Sequence, residues 1–204
     1  YNEIISKAYY DEAIRCVSAF GSSTPNTGPD MKAKAFKFDI AKGVKTLKED
    51  GWKDNGANQL VKTIDGKEVP FEFTLKYNSE NIMRSKIAQI VKENFKKAGI
   101  NVKVQALEWN TLTTDIDNRN YEATVFGWGK GSIYPDPNQL WHTKSYENKG
   151  SNLVGYSNPE VDQLIQMMEG VMLLLMTPTF ALTQSTTRSE DKSDSEATED
   201  TNRN

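Results

Sequence analysis

Apolar positions along the chain recur with two different periods. Three-and-four spacing places Ile4, Ile5, Ala8, Tyr9, Ala13 and Val17 on one face, which predicts a helix from the first residues into Val17. GSSTPNTGPD (21–30) breaks it with two prolines and two glycines. A second helix is expected in FDIAKGVKTLKEDGW, with Asp39 as N-cap, Ile40, Val44 and Leu47 as the buried stripe, and Gly51 as the left-handed stop. A third, in NIMRSKIAQIVKENFKKAG, gathers Ile82, Met83, Ile87, Ile90, Val91, Phe95 and Ala98 before Gly99.

Between and after these helices the period drops to two. QLVKTIDGKEVPFEFTLKYN reads as a hairpin turning at Asp65-Gly66. Beyond the turn Val69, Phe71, Phe73, Leu75 and Tyr77 alternate with Pro70, Glu72, Thr74 and Lys76, so one continuous strand with one buried face is expected. INVKVQALEW alternates in the same way. NTLTTDIDN predicts a short helix capped by Asn110, with Leu112 and Ile116 inward, and YEATVFGW a further strand. NPEVDQLIQMME predicts a last helix burying Val161, Leu164, Ile165 and Met168. Strand, helix, strand, helix, strand in this order implies an α/β fold with a mainly parallel or mixed sheet.

Such sheets bind ligands beyond the carboxyl ends of their strands, and Trp109 and Trp128 follow two of those ends. Trp128 opens the stretch GWGKGSIYPDPNQLWH (127–142), in which prolines flank Asp136 and three glycines allow a guest close to the backbone. Indoles line a cleft at little entropic cost. A core role for Trp128 and a plain turn role for Asp136 are the alternatives. The ligand-binding candidates are Trp109, Trp128, Gly129, Tyr134, Asp136 and Asn138.

Charge narrows the functional classes. Of the net charge of −3, residues 183–204 supply the whole excess, six acids against three bases, leaving 22 of each sign elsewhere. A neutral body argues against nucleic-acid binding. The lone Cys16 can form no internal disulfide and is expected to be a small buried hydrophobe. His142 is the only histidine, so no metal site, cofactor or nucleophile motif is expected. A hydrolase using Asp136 and His142 is the remote catalytic alternative. VMLLLMTPTFAL (171–182) is an apolar run of 12 residues, short of the roughly 20 that span a bilayer. The acidic Ser/Thr-rich stretch after it is expected to be disordered. The first residues lack Met and an apolar leader core, so the chain is expected to be a piece of something longer.

Five segments, in order, resemble the extracytoplasmic solute-binding proteins of peptide/nickel-type ABC importers, the class of oligopeptide- and dipeptide-binding proteins. They are AYYDEAIRCVSAFGSSTPNTGP, FDIAKGVKTLKEDGWKDN, FTLKYNSENIMRSKIAQIVKENFKKAGINVKVQALEW, FGWGKGSIYPDPNQLWH and GSNLVGYSNPEVDQLI. The resemblance implies a non-enzymatic, monomeric binding protein, the chain being a truncated second lobe of periplasmic-binding-protein-like type II architecture. A leading helix and turn (1–30), a partial lobe (31–169) and an atypical tail (170–204) are expected. The parent would sit in the periplasm or at the cell surface, closing on a peptide or related solute and presenting it to a membrane permease. Trp109 and Trp128 match tryptophans that line side-chain pockets in peptide-binding members. Those members often place an Asp three residues after the second Trp, to hold the peptide's amino group. Here that position is Gly131. Either Asp136 takes over or the cargo lacks an ammonium. A truncated lobe that acts only as an interaction module, or has lost its role, is the other reading.

Overall fold

The computed structural model describes residues 1–16, 37–128 and 137–170. The expected break at 21–30, the 171–182 run and the tail lie outside the described residues. The chain divides into two compact units, Tyr1–Pro135 and Asp136–Asn204.

The first unit holds α1 (Asn2–Tyr9), α2 (Ile40–Glu49), β1 (Lys53–Asp54), β2 (Leu60–Ile64), β3 (Lys67–Pro70), β4 (Glu72–Asn78), α3 (Ile82–Lys97), β5 (Asn101–Leu107), α4 (Trp109–Asp117) and β6 (Ala123–Val125). β1, β2 and β3 form one antiparallel sheet. β5, β4 and β6 form a second, with both neighbours parallel to the central β4.

Local chemistry sets several boundaries. The Asp39 side chain accepts from the Lys42 N–H at 2.9 Å, and Gly51 leaves α2 at φ 94°. Asp65 and Gly66 both take positive φ (50° and 75°), the primed-turn geometry that matches strand twist, and Ile64 pairs with Lys67 across the turn. Asn81 caps α3 by accepting from the Arg84 N–H at 2.9 Å, and α3 runs out at Gly99, φ 75°.

The long strand expected after the turn is in fact two. Phe71 is where the chain changes sheets: its N–H donates to the Leu60 carbonyl (2.7 Å) and its own carbonyl accepts from the Asn101 N–H (3.0 Å). Side-chain alternation survives the change, because period two carries no record of which partner a strand pairs with. The expected first helix is also shorter. Tyr10 and Asp11 adopt left-handed φ (53° and 64°) and the Asp11 N–H returns to the Ile5 carbonyl. Ile14 is exposed, and so is Cys16, contrary to the burial expected of it.

One face of the parallel sheet makes the core. Leu75, Tyr77 and Val102 pack with Leu60, Ala88 and Ile100, flanked by Phe73, Val91, Val104 and Val125. α3 therefore covers this face. On the opposite face the Lys76 Nζ, with its side chain almost wholly enclosed, pairs with Asp115 of α4 at 2.8 Å, while Leu112 and Ile116 of α4 are buried as expected. Ile82 and Met83 are exposed, not part of the α3 stripe. The stripe of α2 is only half-buried, bordering an open groove with Phe71, Phe95 and Ile100.

The second unit contains α5 (Asn138–Trp141), a 3₁₀ turn (Thr143–Tyr146) and a helix over 159–170. Asn158 caps that helix, its side chain accepting from the Glu160 and Val161 N–H groups. Ile165 is buried and Val161 half-buried, but Leu164 and Met168 face outward.

Candidate functional site

The site is built by the order of the strands. The chain leaves β4 through α3 on one face of the sheet and leaves its neighbour β5 through α4 on the other. Two adjacent parallel strands whose connections part in this way open a crevice at their carboxyl ends, the usual ligand position in open α/β sheets. The Ser79 N–H donates to the Leu107 carbonyl at 2.7 Å, tying the two exits together. α4 begins at Trp109, one residue earlier than the expected cap Asn110; Glu108 takes the cap position.

Aromatic rings gather at this edge. Trp109 stacks on Phe126 with centroids 5.8 Å apart and planes 7° from parallel. Phe126 meets Trp128 edge-on, 5.6 Å and 80°. Trp109 remains 41% exposed and Trp128 55%, so each indole keeps much of its surface open. The Arg84 guanidinium carbon lies 5.5 Å from the centroids of both Trp109 and Phe126, at cation–π range. Phe126 and Arg84 were not among the residues expected from sequence. Arg84 could have been flagged only as a cation in the first turn of a helix leaving a strand end.

Asn78, last residue of β4, supplies a further feature. It is 5% exposed, and its Nδ2 has no hydrogen-bond partner among the described residues. A buried amide donor left unpaired costs about 1–3 kcal/mol.

Gly129, Tyr134 and Asp136 lie outside the described residues. Asn138 belongs to the second unit, where its Nδ2 donates to Glu169 at 2.6 Å and its backbone carbonyl accepts from the Ser145 hydroxyl at 2.8 Å. His142, also in that unit, is buried. Its Nδ1 accepts from the Lys144 N–H (3.1 Å), its Nε2 is 3.3 Å from the Gln166 amide nitrogen, and its carbonyl accepts from the buried Asn152 amide at 3.2 Å. The nearby Asp162 carboxyl is held below the ordinary carboxylate range by hydrogen bonding from the Thr143 side chain and backbone N–H, with lesser help from His142 and Lys144. These contacts make His142 a structural junction. Among the described residues no cluster of three or more His, Cys, Asp or Glu side chains stands ready for a metal.

Comparison with known proteins agrees with this architecture. The family described as bacterial extracellular solute-binding proteins, family 5 (middle), matches residues 1–152. The oligopeptide-binding protein AppA of Bacillus subtilis is 37% identical over 143 residues, 69% of this chain and 25% of that protein. Its structure in complex with a nonapeptide superposes with a TM-score of 0.71 at 36% identity, covering 81% of this chain and 32% of that one. An oligopeptide-binding protein from Thermus thermophilus, complexed with a pentapeptide, shares the fold at a TM-score of 0.70 and 22% identity over 81% of this chain and 30% of its own. The chain thus spans about a quarter of the length of the curated AppA. Its α/β architecture is that of a type II periplasmic binding protein, and the chain belongs to the bacterial extracellular solute-binding proteins of family 5.

Proposed function

We propose that this chain is part of the ligand-binding body of an ABC-importer substrate-binding protein, and that its cargo is a peptide held against Trp109 and Trp128. The observation that carries the reading is the pair of half-exposed indoles, stacked through Phe126 at the carboxyl edge of a parallel sheet. The 37% identity to an oligopeptide-binding protein favours a peptide over other small solutes.

The mechanism is burial without chemistry. An arriving peptide side chain displaces water from an indole face already fixed by its neighbours, so little side-chain entropy is lost on binding. Covering about 55 Å² of each ring would contribute about 1.4 kcal/mol per indole. The rest of the parent protein would close over the cargo and present it to a membrane permease outside the cytoplasm. A lone lobe leaves half the guest in water, so millimolar affinity is expected of the isolated chain.

Indole N–H signals in a two-dimensional proton–nitrogen NMR spectrum, followed while unblocked pentapeptides are added to millimolar concentration, test the proposal. The Trp109 and Trp128 signals, assigned through Trp→Phe variants, should move in a saturable way, and Trp128→Ala should weaken binding about tenfold. Saturation that Trp128→Ala leaves untouched, or signals that never move, would remove the basis of the reading.

A further inference from the structure

The face of the parallel sheet away from the core carries a charge where carbon would serve. Lys76, at the middle of the central strand β4, is 9% exposed. Its ammonium donates to the Asp115 carboxylate of α4 at 2.8 Å and to the Asn120 carbonyl in the connection from α4 to β6. Asp115 and Asn120 are themselves joined, side chain to side chain at 2.9 Å and backbone to backbone at 2.8 Å. Two residues on, the Glu122 carboxylate accepts from the Thr74 N–H at 2.7 Å. One strand thus grips both a helix and the chain that follows it. Taking two charges out of water is costly, and an apolar pair of similar volume is often neutral or better for stability. Stability alone does not account for the pair. What the pair adds is direction, which apolar burial lacks.

Direction matters because the segment held in this way carries the rings. α4 begins with Trp109, and β6 ends at Val125, next to Phe126. The two stacked rings therefore sit at opposite ends of the segment 109–126, and Lys76 holds its middle. Apolar packing fixes that segment loosely. Leu112 and Ile116 are the buried residues of α4, four apart on one stripe, about which a nine-residue helix can roll. β6 pairs with β4 through three residues. A stack within 7° of parallel requires the helix and the strand end to keep one relative placement.

We propose that Lys76 is a positioning residue for the indoles: shared between Asp115 and the Asn120 carbonyl, its ammonium sets α4 against β6 and keeps Trp109 stacked on Phe126 before cargo arrives. This rests on the peptide-binding reading above and deepens it, since a residue that touches no cargo then governs affinity. A ring fixed in advance loses little freedom on binding. A ring that the guest must order costs about tenfold in affinity.

The test uses the full chain carrying Lys76→Met and Asp115→Leu together, which removes both charges and leaves neither buried alone. Three quantities are measured: the urea midpoint, the Trp109 indole N–H signal, and the affinity for an unblocked pentapeptide. The midpoint should stay at or above the wild-type value. The Trp109 signal should be displaced or doubled as the Phe126 ring leaves it, while that of Trp52, stacked on Phe71, should not move. Affinity should fall about tenfold. Asp115→Asn keeps an acceptor for Lys76 and drops only its charge, so it should displace the Trp109 signal less and weaken binding about threefold; it decides the matter if the double variant does not fold. An unmoved Trp109 signal with unchanged affinity, in whichever variant folds, overturns the proposal. So does a loss of affinity that merely follows a loss of folded protein. If wild type and variant bind the pentapeptide equally, the positioning role falls alone. If the wild-type chain binds no pentapeptide, the peptide reading falls, and the Trp109 signal decides by itself whether Lys76 holds the stack.

Discussion

The two ends of the parallel sheet are built from the same three strands and treat their polar groups in opposite ways. At the amino end the polar groups of Gln59, Leu60, Phe71 and Gly99 are tied to one another. The Gln59 amide donates to the carbonyls of Leu60, Phe71 and Gly99 at 3.1–3.3 Å, and the Leu60 N–H reaches Gly99. A Cβ on Gly99 would stand 3.2 Å from Leu60 Cγ, so glycine is needed both for its positive φ and for that close approach. At the carboxyl end two indoles stand in solvent, an amide is buried unpaired and an arginine lacks a carboxylate. One end stores stability, and the other, under the proposed function, leaves bonds unmade for a guest. A protein has little margin to do both in one place, since the groups that recognise a ligand must stay unsatisfied until it arrives.

Replacing a residue at the closed end should therefore produce the largest loss. Leu60 is 2% exposed at the junction of the two sheets, and Leu60→Ala should cost about 3 kcal/mol, read as a lower urea midpoint with an unchanged slope. A loss below about 1 kcal/mol would show that the amino end is not the anchor.

The open end should respond with the opposite sign. Asn78→Leu removes an unpaired buried amide and fills the space with carbon, so it should stabilise the free protein by about 1 kcal/mol without strengthening peptide binding at the indoles. Clear destabilisation in the urea curve would mean that Asn78 is already paired and that the contrast between the ends is false.

Between the ends, on the face away from the core, the smallest effect is expected from acid. Asp115 is held below the ordinary carboxylate range first by its hydrogen bond to Lys76 and next by Asn120, against a partial burial that pushes the other way. A carboxylate with a lowered folded pKa contributes stability that is complete above its unfolded value, about 3.9, and lost as pH falls through the folded one. Thermal midpoints should hold from neutral pH to about pH 5 and then decline. Asp115→Asn should make that decline shallower, though not abolish it, because Glu3, Asp50, Glu72 and Asp162 are also held low. An unaltered acid slope in the variant would show that the Lys76–Asp115 pair does not matter to folding.

Much of this was legible in the residues, and what was legible is local. Asp39 and Gly51 bracket α2, Asp65-Gly66 makes its turn, Leu112 and Ile116 go inward, and the alternation of helices and strands leads to a parallel sheet. Each depends on neighbours within about one turn or one hairpin. What was missed depends on distant partners. Alternation through Phe71 hid a change of sheets. Apolar spacing alone could not tell that Ile82, Met83, Leu164 and Met168 stay exposed. Tyr10 and Asp11 end α1 without the glycine that usually signals a stop.

The candidate site divides along the same line. Sequence by itself determined which elements form and which residues follow the strand ends, because dihedral preference, capping and apolar period are properties of short segments. That was enough to single out Trp109 and Trp128. Only the tertiary structure decided that β4 is central, with β5 and β6 on either side of it. This order brings Arg84, Trp109 and Phe126, from three separate connections, to one edge and leaves Asn78 enclosed there without a partner. Strand order is set by the summed burial of whole faces against α3 and α4, and no single stretch of residues contains that sum.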